Sequence, residues 1–138
     1  MRDRAFIAVV DDDESVREAL PDLVREFGYE AAAFASAEEF LTSGCLPQTR
    51  CLLLDIAMLG MSGLDLQREL ARRGQAVPIV FITAHGDESV RVRLREGGAV
   101  ECLLKPFSDT ALLEALDAAV GSGARVSALR PGKGGTQQ

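Results

Sequence analysis

Polar residues that could take part in chemistry follow four of the short apolar runs in this 138-residue chain. Asp11 and Asp12 come directly after the first run, and Asp55 follows the third. Thr83 and Lys105 stand in the same relation to two later runs. Residues that follow parallel strands meet at one edge of the sheet, where such folds bind ligands. If the runs are parallel strands, we expect three carboxylates, a hydroxyl group and an amine in one cleft.

A cleft with three carboxylates needs compensating positive charge. Two carboxylates about 4 Å apart repel each other by about 4 kcal/mol at an effective dielectric constant of about 20, so the cluster must bind a cation or retain protons. Oxygen ligands in an open site favour Mg²⁺, which keeps several water molecules. The single histidine and the cysteines lack the spacing of zinc ligands. We therefore predict that Asp11, Asp12 and Asp55 bind Mg²⁺.

The same cleft is suited to phosphoryl transfer. A metal ion that contacts a carboxylate and an incoming phosphoryl group screens their repulsion and orients an in-line attack. We predict that Asp55 is the nucleophile. Lys105 can pair with the carboxylate or with phosphoryl oxygens, and the Thr83 hydroxyl can donate a hydrogen bond to one of those oxygens.

Five apolar runs predict five strands. The runs are Ala5 to Val10, Ala31 to Phe34, Cys51 to Leu54, Ile79 to Ile82 and Val100 to Leu104. Between and after them, helical spacing of apolar residues predicts five helices, the second of which opens at a capping box formed by Ser36 and Glu39. Pro21 lies inside the first helical stripe and predicts a kink there, unless that helix begins later. The alternation predicts an α/β fold with a doubly wound parallel sheet covered on both faces.

Length and composition predict one folded domain and a tail. Hydrophobic residues make up 47% of the chain and charged residues 26%, as is typical of globular domains. Residues 1–120 contain 12 basic and all 21 acidic residues, a net charge of −9, whereas residues 121–138 contain three basic residues. The tail is rich in Gly, Ser, Arg and Gln. We therefore predict a folded domain over 1–120 and a flexible C-terminal tail over 121–138.

Composition also argues against several classes of function. An acidic domain disfavours direct binding to nucleic acid. The first apolar run is too short for a signal-peptide core, and no run reaches the length of a membrane span. Cys45, Cys51 and Cys102 are odd in number, which is typical of reduced thiols. We expect a cytoplasmic protein that binds neither nucleic acid nor membranes.

The motifs around the predicted cleft occur in the order typical of a known family. They are VVDDDE at 9–14, LDI at 54–56, MSGLDL at 61–66, ITAHGD at 82–87 and LKPF at 104–107. Over about residues 5 to 120, the chain resembles the receiver domain of bacterial two-component response regulators, in its FixJ-like branch. The resemblance implies a flavodoxin-like (CheY-like) sheet of strand order 2-1-3-4-5 with five helices.

The resemblance also implies a role for each residue of the cleft. The acidic pair corresponds to Asp11 and Asp12, the phosphorylation site to Asp55, the switch hydroxyl to Thr83 and the pocket lysine to Lys105. The backbone carbonyl of Ala57 would complete the Mg²⁺ site. Members of the family take the phosphoryl group from a sensor histidine kinase and catalyse only their own phosphorylation and dephosphorylation, so no other enzyme activity is expected.

Phosphorylation of such domains changes the surface around the fourth helix, the fifth strand and the fifth helix. The implied partners are an unidentified downstream effector or fused output domain, which can regulate transcription, and a second copy in a phosphorylation-dependent homodimer. Two positions depart from the family pattern. Leu59 replaces a proline, which predicts a more mobile loop. Cys102 replaces an aromatic residue, so Thr83 is expected to move its own loop without an aromatic relay.

Other interpretations fit parts of the sequence. Asp11 and Asp13 form an Asp-x-Asp pair typical of small aspartyl-phosphate hydrolases, although Asp55 then has no task. A degenerate receiver that acts as a constitutive binding module is a further alternative. Residues 11–14 also fit a solvated helix start, because carboxylates favour helix N-termini.

Several other residues receive no site role. His85 is expected to be an ordinary surface residue. Arg91, Arg93 and Arg95 alternate by two, so they cannot share one helix face and are expected to be solvated. The peptide bond before Pro106 is a candidate for the cis form.

Overall fold

The computed structural model describes residues 4–58, 60–84 and 88–128. The strands are β1 (Phe6–Val10), β2 (Glu30–Phe34), β3 (Thr49–Asp55), β4 (Ile79–Thr83) and β5 (Glu101–Leu104). The helices are α1 (Glu14–Glu26), α2 (Ala37–Thr42), α3 (Gly63–Arg72), α4 (Glu88–Glu96) and α5 (Asp109–Ala128). A short 3-10 helix, Leu46–Gln48, precedes β3. The predicted alternation of strands and helices is confirmed.

The strands form one parallel sheet of order β2-β1-β3-β4-β5. The predicted doubly wound topology is therefore confirmed. The chain turns in opposite directions from β1 and β3, which are neighbours, and a ligand site is expected outside the carboxyl ends of such strands. Val10 pairs with Leu54 in the register of these two strands. The residues that come directly after this pair, Asp11 and Asp55, are consequently neighbours at the edge of the sheet.

Both faces of the sheet are buried. On one face, Ile7, Leu53 and Ile82 pack with α1 and α5. On the other face, Leu52 and Phe81 pack with α2, α3 and α4. Burial on both faces explains why the strands are continuous apolar runs instead of alternating patterns.

Helix α1 continues through Pro21 and begins no later than Glu14. Pro21 is buried on the same side of the helix as Leu20 and Val24. A proline at this position lacks the amide that would bond to the preceding turn, but its ring adds apolar surface to the core. Pro21 therefore lies inside α1, and the alternative that this helix begins later is wrong.

Helix α5 extends to Ala128, so the predicted boundary at residue 120 falls inside it. Residues 121–128 are helical and 129–138 lie outside the described residues, so the division into a domain over 1–120 and a tail over 121–138 stays a prediction. Each glycine inside a helix costs only about 1 kcal/mol relative to alanine. The two glycines at 121 and 123 therefore do not suffice to end a helix that is already formed.

Gly63 allows α3 to begin directly against the end of β3. A Cβ atom at this position would lie 2.5 Å from the carbonyl oxygen of Asp55 and 3.0 Å from the Cα of Ile56. The Gly63 N–H donates to the Ile56 carbonyl at 2.9 Å. The missing side chain thus permits the close packing that holds the end of the Asp55 strand.

Replacing Gly63 by alanine should lower the free energy of unfolding by about 1 to 3 kcal/mol, because backbone atoms must move to admit the methyl group. The matched control is Gly121→Ala, where a Cβ atom would have no neighbour within 4 Å. Since Gly121 lies in α5, the control should be neutral or up to about 1 kcal/mol more stable. Urea unfolding measures both variants, and equal losses of stability would contradict the close contact at Gly63.

Candidate functional site

The polar residues predicted to converge do lie at the carboxyl edge of the sheet. Asp11 follows β1, Asp55 and Thr83 are the last residues of β3 and β4, and Lys105 follows β5. Asp11 is 1% exposed, Asp55 7% and Thr83 5%. Asp12 is exposed beside them. At this edge of the sheet, three buried polar side chains therefore lie beside the exposed carboxylate of Asp12.

Three carboxylates meet in this cleft. Asp11, Asp12 and Asp55 each offer an oxygen atom within 4.8 Å of the others. Oxygens that share a Mg²⁺ ion lie about 3.0 Å apart when adjacent and about 4.2 Å apart when opposite, given bonds of about 2.1 Å. The cluster is thus close to the size that one such ion requires. Its oxygen-only composition and the burial of two of its members also fit a hard divalent cation.

Asp11 is held by contacts at both carboxylate oxygens. Its Oδ1 accepts a hydrogen bond from the Asp13 N–H at 2.9 Å, and its Oδ2 lies 3.3 Å from the Lys105 Nζ. The Asp13 carboxylate in turn accepts from the Ser15 N–H at 2.9 Å and caps α1. The interpretation of this segment as a solvated helix start is therefore correct for Asp13, but not for the buried Asp11.

The pKa of Asp55 is raised from its usual 3.8 to about 6. Burial is the largest cause, and the negative charge of Asp11 adds to it. The positive charge of Lys105 and the hydrogen bond that the Ala57 N–H donates to Asp55 Oδ1 at 3.3 Å oppose the rise in pKa. Without a divalent ion, the lysine thus compensates the clustered negative charge only in part.

Lys105 joins the ends of two strands as well as the carboxylates. Its N–H donates to the Thr83 carbonyl at 2.9 Å, and its ammonium group pairs with Asp11 as described. The peptide bond to Pro106 is cis. Among the contacts with the two buried carboxylates, Asp11 and Asp55, the ion pair of Lys105 is with Asp11, at 3.3 Å.

Of the two departures from the family pattern, only Cys102 lies among the described residues. Leu59 lies outside them, and so does His85, which was expected to be an ordinary surface residue. Cys102 is buried on β5, opposite Phe81 of β4, and burial raises the pKa of its thiol. At this position the fold therefore contains a small core side chain without a ring that could rotate.

The arginines of α4 differ partly from the expectation. Arg93 is exposed. Arg91 and Arg95 lie one helical turn apart and pair with Glu101 of β5 at 3.8 and 3.0 Å. Arg95 is exposed as expected, whereas Arg91 is partly buried. Both arginines attach α4 to the edge strand.

Glu38 contacts the site loop but was not recognised in the sequence. Its Oε2 accepts from the Met61 N–H at 3.2 Å, in the loop that follows β3. The next residue, Glu39, had a local signal because it lies three residues after Ser36. Its N–H donates to the Ser36 hydroxyl as predicted, but its carboxylate accepts from the N–H of Ala35 and not from that of Ser36, so only half of the predicted capping box forms. The contact between Glu38 and Met61 spans 23 positions, so no local pattern could have revealed it.

Comparison with known proteins decides the family. The family model for the response regulator receiver domain matches residues 7–117. This chain belongs to the response regulator receiver family. Its function is that of a receiver domain in a two-component system, as the resemblance of its motifs predicted.

Two curated relatives and one solved structure illustrate the similarity of this receiver domain. Nodulation protein W of Bradyrhizobium diazoefficiens is 50% identical over 116 residues, which cover 84% of this chain and 51% of that protein. Transcriptional regulatory protein FixJ of Azorhizobium caulinodans is 37% identical, over 86% of this chain and 56% of that protein. The crystal structure of FixJ-N is 36% identical with a TM-score of 0.76, and covers 88% of this chain and 96% of that one.

The receiver domain spans about half the length of these curated relatives. The similarity therefore concerns one part of them. Among the helices that the structure describes, none is both long enough and apolar enough to span a membrane.

The raised pKa of Asp55 predicts how Asp55→Asn changes stability with pH. Protonated Asp55 contributes stability to the fold below about pH 4, and this contribution is lost as the pH rises through about 6. Asparagine does not titrate. In metal-free buffer at about pH 7.5, the variant should therefore be more stable by roughly 1 to 3 kcal/mol.

Urea unfolding between about pH 4 and 8 with a chelator present measures this difference. The gap between variant and wild type should close toward about pH 4. A gap that stays constant over the whole range would contradict a raised pKa at Asp55.

Proposed function

We propose that Asp55 of this receiver domain accepts a phosphoryl group with the help of Mg²⁺. The main support is the convergence of three carboxylates within 4.8 Å beside Lys105. Asp11, Asp12, Asp55 and the backbone carbonyl of Ala57 would hold the ion. When bound, Mg²⁺ supplies positive charge that screens an incoming phosphoryl group from the carboxylates.

Asp55 has better support as acceptor than Asp11. Both oxygens of Asp11 are engaged, by the Asp13 amide and by Lys105. Asp55 accepts a longer hydrogen bond from Ala57, at 3.3 Å. It lies at the end of a central strand, so its position is held by the sheet on both sides. A nucleophile must be fixed in place but must keep an oxygen lone pair for attack.

In the proposed reaction, an Asp55 oxygen attacks the phosphorus atom of a phosphohistidine. The new oxygen–phosphorus bond forms as the nitrogen–phosphorus bond breaks, and the histidine nitrogen keeps the electron pair of the broken bond. The product is an acyl phosphate on Asp55. The Lys105 ammonium can shift from Asp11 toward the new phosphoryl oxygens, and the Thr83 hydroxyl can donate to one of them.

The phosphoryl donor is proposed to be a sensor histidine kinase. Apart from its own phosphorylation and dephosphorylation, the domain is proposed to have no enzyme activity. Membership of the receiver family supports both statements. The cytoplasm is the proposed location, supported by the three free thiols Cys45, Cys51 and Cys102.

The proposed output is control of transcription through a fused output domain or a separate effector. Relatives support this, since one is named a transcriptional regulatory protein and has nearly twice the length of the matched region. The domain itself is not proposed to contact nucleic acid or membranes. Its net charge of −9 over residues 1–120 disfavours binding to the phosphates of nucleic acid. A phosphorylation-dependent homodimer is part of the same proposal.

The two alternative functions have less support. In the hydrolase alternative, Asp13 would be the general acid, but its carboxylate caps α1 by accepting from Ser15. A degenerate receiver would not need to keep two buried carboxylates next to a lysine, because such burial is costly without a function or a compensating ion.

Asp55→Asn should abolish labelling by acetyl phosphate in the presence of Mg²⁺, because the amide cannot form the acyl phosphate. Intact-mass spectrometry measures the labelled fraction. The control Asp22→Asn removes an exposed carboxylate from α1 and should leave labelling unchanged. Persistent labelling of Asp55→Asn would require another acceptor, and an unlabelled wild-type protein would favour the degenerate receiver.

Asp12→Asn should weaken Mg²⁺ binding by about tenfold or more, the loss that even an outer-shell partner of a metal site can cause. Isothermal titration calorimetry measures this affinity. Asp13→Ser is the matched control, since it removes one negative charge from the same turn but keeps a residue that can cap α1. Equal weakening in both variants would indicate a general charge effect instead of a metal ligand at Asp12.

A further inference from the structure

Arg17 connects α1 to the turn that contains the acidic pair. It is the fourth residue of α1 and is half-buried. Its Nη1 donates a hydrogen bond to the backbone carbonyl of Asp11 at 3.1 Å. A guanidinium group thus lies directly behind the carboxylate cluster and contacts its backbone.

This hydrogen bond satisfies a buried carbonyl group. Asp11 is 1% exposed, and a buried carbonyl without a partner is destabilising. The other polar groups of Asp11 also have partners: its N–H donates to Phe34 at 3.1 Å, and its carboxylate contacts Asp13 and Lys105. Arg17 completes this set with a charge-assisted bond, which is stronger than a neutral one.

The Asp11 carbonyl belongs to the peptide unit that joins Asp11 to Asp12. Because a peptide unit is planar, fixing its oxygen also fixes its nitrogen and the position of the Asp12 Cα, which lies in the same plane. Asp12 is exposed, and its carboxylate extends from this Cα. By holding the Asp11 carbonyl, Arg17 therefore helps to fix the point of the backbone from which the Asp12 carboxylate extends toward the other two carboxylates.

We propose that Arg17 is a positioning residue for Mg²⁺ binding, which holds the peptide between Asp11 and Asp12 so that both carboxylates face the same ion. This inference rests on the proposed function of the cluster. Arg17 acts through the backbone of the acidic pair, by its hydrogen bond to the Asp11 carbonyl. Loss of Arg17 should therefore lower the affinity for Mg²⁺ and leave the rate of attack by Asp55 unchanged.

Arg25 provides a matched control on the same helix. Its Nη2 donates to the carbonyl of Ala31 at 3.0 Å, also across six positions. Arg25 therefore makes the same type of contact near the opposite end of α1. Any effect of losing an arginine-to-carbonyl hydrogen bond in general appears equally in Arg25→Met.

The test compares Mg²⁺ affinity by isothermal titration calorimetry in the wild type, Arg17→Met and Arg25→Met. Arg17→Met should weaken binding by about tenfold, in the range known for residues that orient metal ligands, and Arg25→Met should leave it unchanged. Arg17→Lys retains a charged donor and should recover part of the affinity. It also provides a second variant if the methionine substitution prevents folding.

Labelling with acetyl phosphate over a range of Mg²⁺ concentrations separates positioning from chemistry. In Arg17→Met, the half-saturating Mg²⁺ concentration should rise by about tenfold, while the limiting rate stays within about twofold of wild type because Arg17 does not contact Asp55. A lower limiting rate with unchanged affinity would overturn the inference. Equal weakening in Arg25→Met would overturn it as well.

The wild-type measurements distinguish failure of this inference from failure of the proposed function. If the wild-type protein neither binds Mg²⁺ nor becomes labelled, the proposed function fails. If it does both, and Arg17→Met binds Mg²⁺ as tightly as the wild type, only the role of Arg17 fails.

Discussion

Repulsion among three carboxylates is the interaction on which the functional part of this structure depends. Asp11 and Asp55 are buried at the ends of adjacent strands, with Asp12 exposed beside them. Lys105 offsets part of the negative charge, yet the pKa of Asp55 remains raised to about 6. The negative charge at this point is thus offset only in part, which suits a site that must attract a divalent ion before a phosphoryl group.

A rigid sheet makes such an arrangement tolerable. The central strands are buried on both faces by apolar side chains, and this burial is the main favourable term in folding. The stability it provides offsets the cost of clustering like charges at one edge. Gly63 packs against the end of β3, and Lys105 joins the ends of β4 and β5 through Thr83. The charged groups of the site are therefore attached to elements that the buried sheet holds in place.

Much of the fold was predictable because its signals are local. Continuous apolar runs marked the five strands, helical spacing marked the helices, and the family motifs implied the strand order that the sheet has. The end of α5 was not predictable in this way. Composition changes at Gly121, but a helix that is already formed can continue past two glycines to Ala128, so composition and helix end do not coincide.

The sequence by itself determined which residues reach the site, because Asp11, Asp55, Thr83 and Lys105 stand at the carboxyl ends of strands that are parallel. Only the tertiary structure decided how these groups are paired. Lys105 contacts Asp11 across 94 positions, and Glu38 reaches the loop after β3 across 23. Such pairings depend on distances of a few ångströms between elements far apart in the chain, and residue spacing contains no information on those distances.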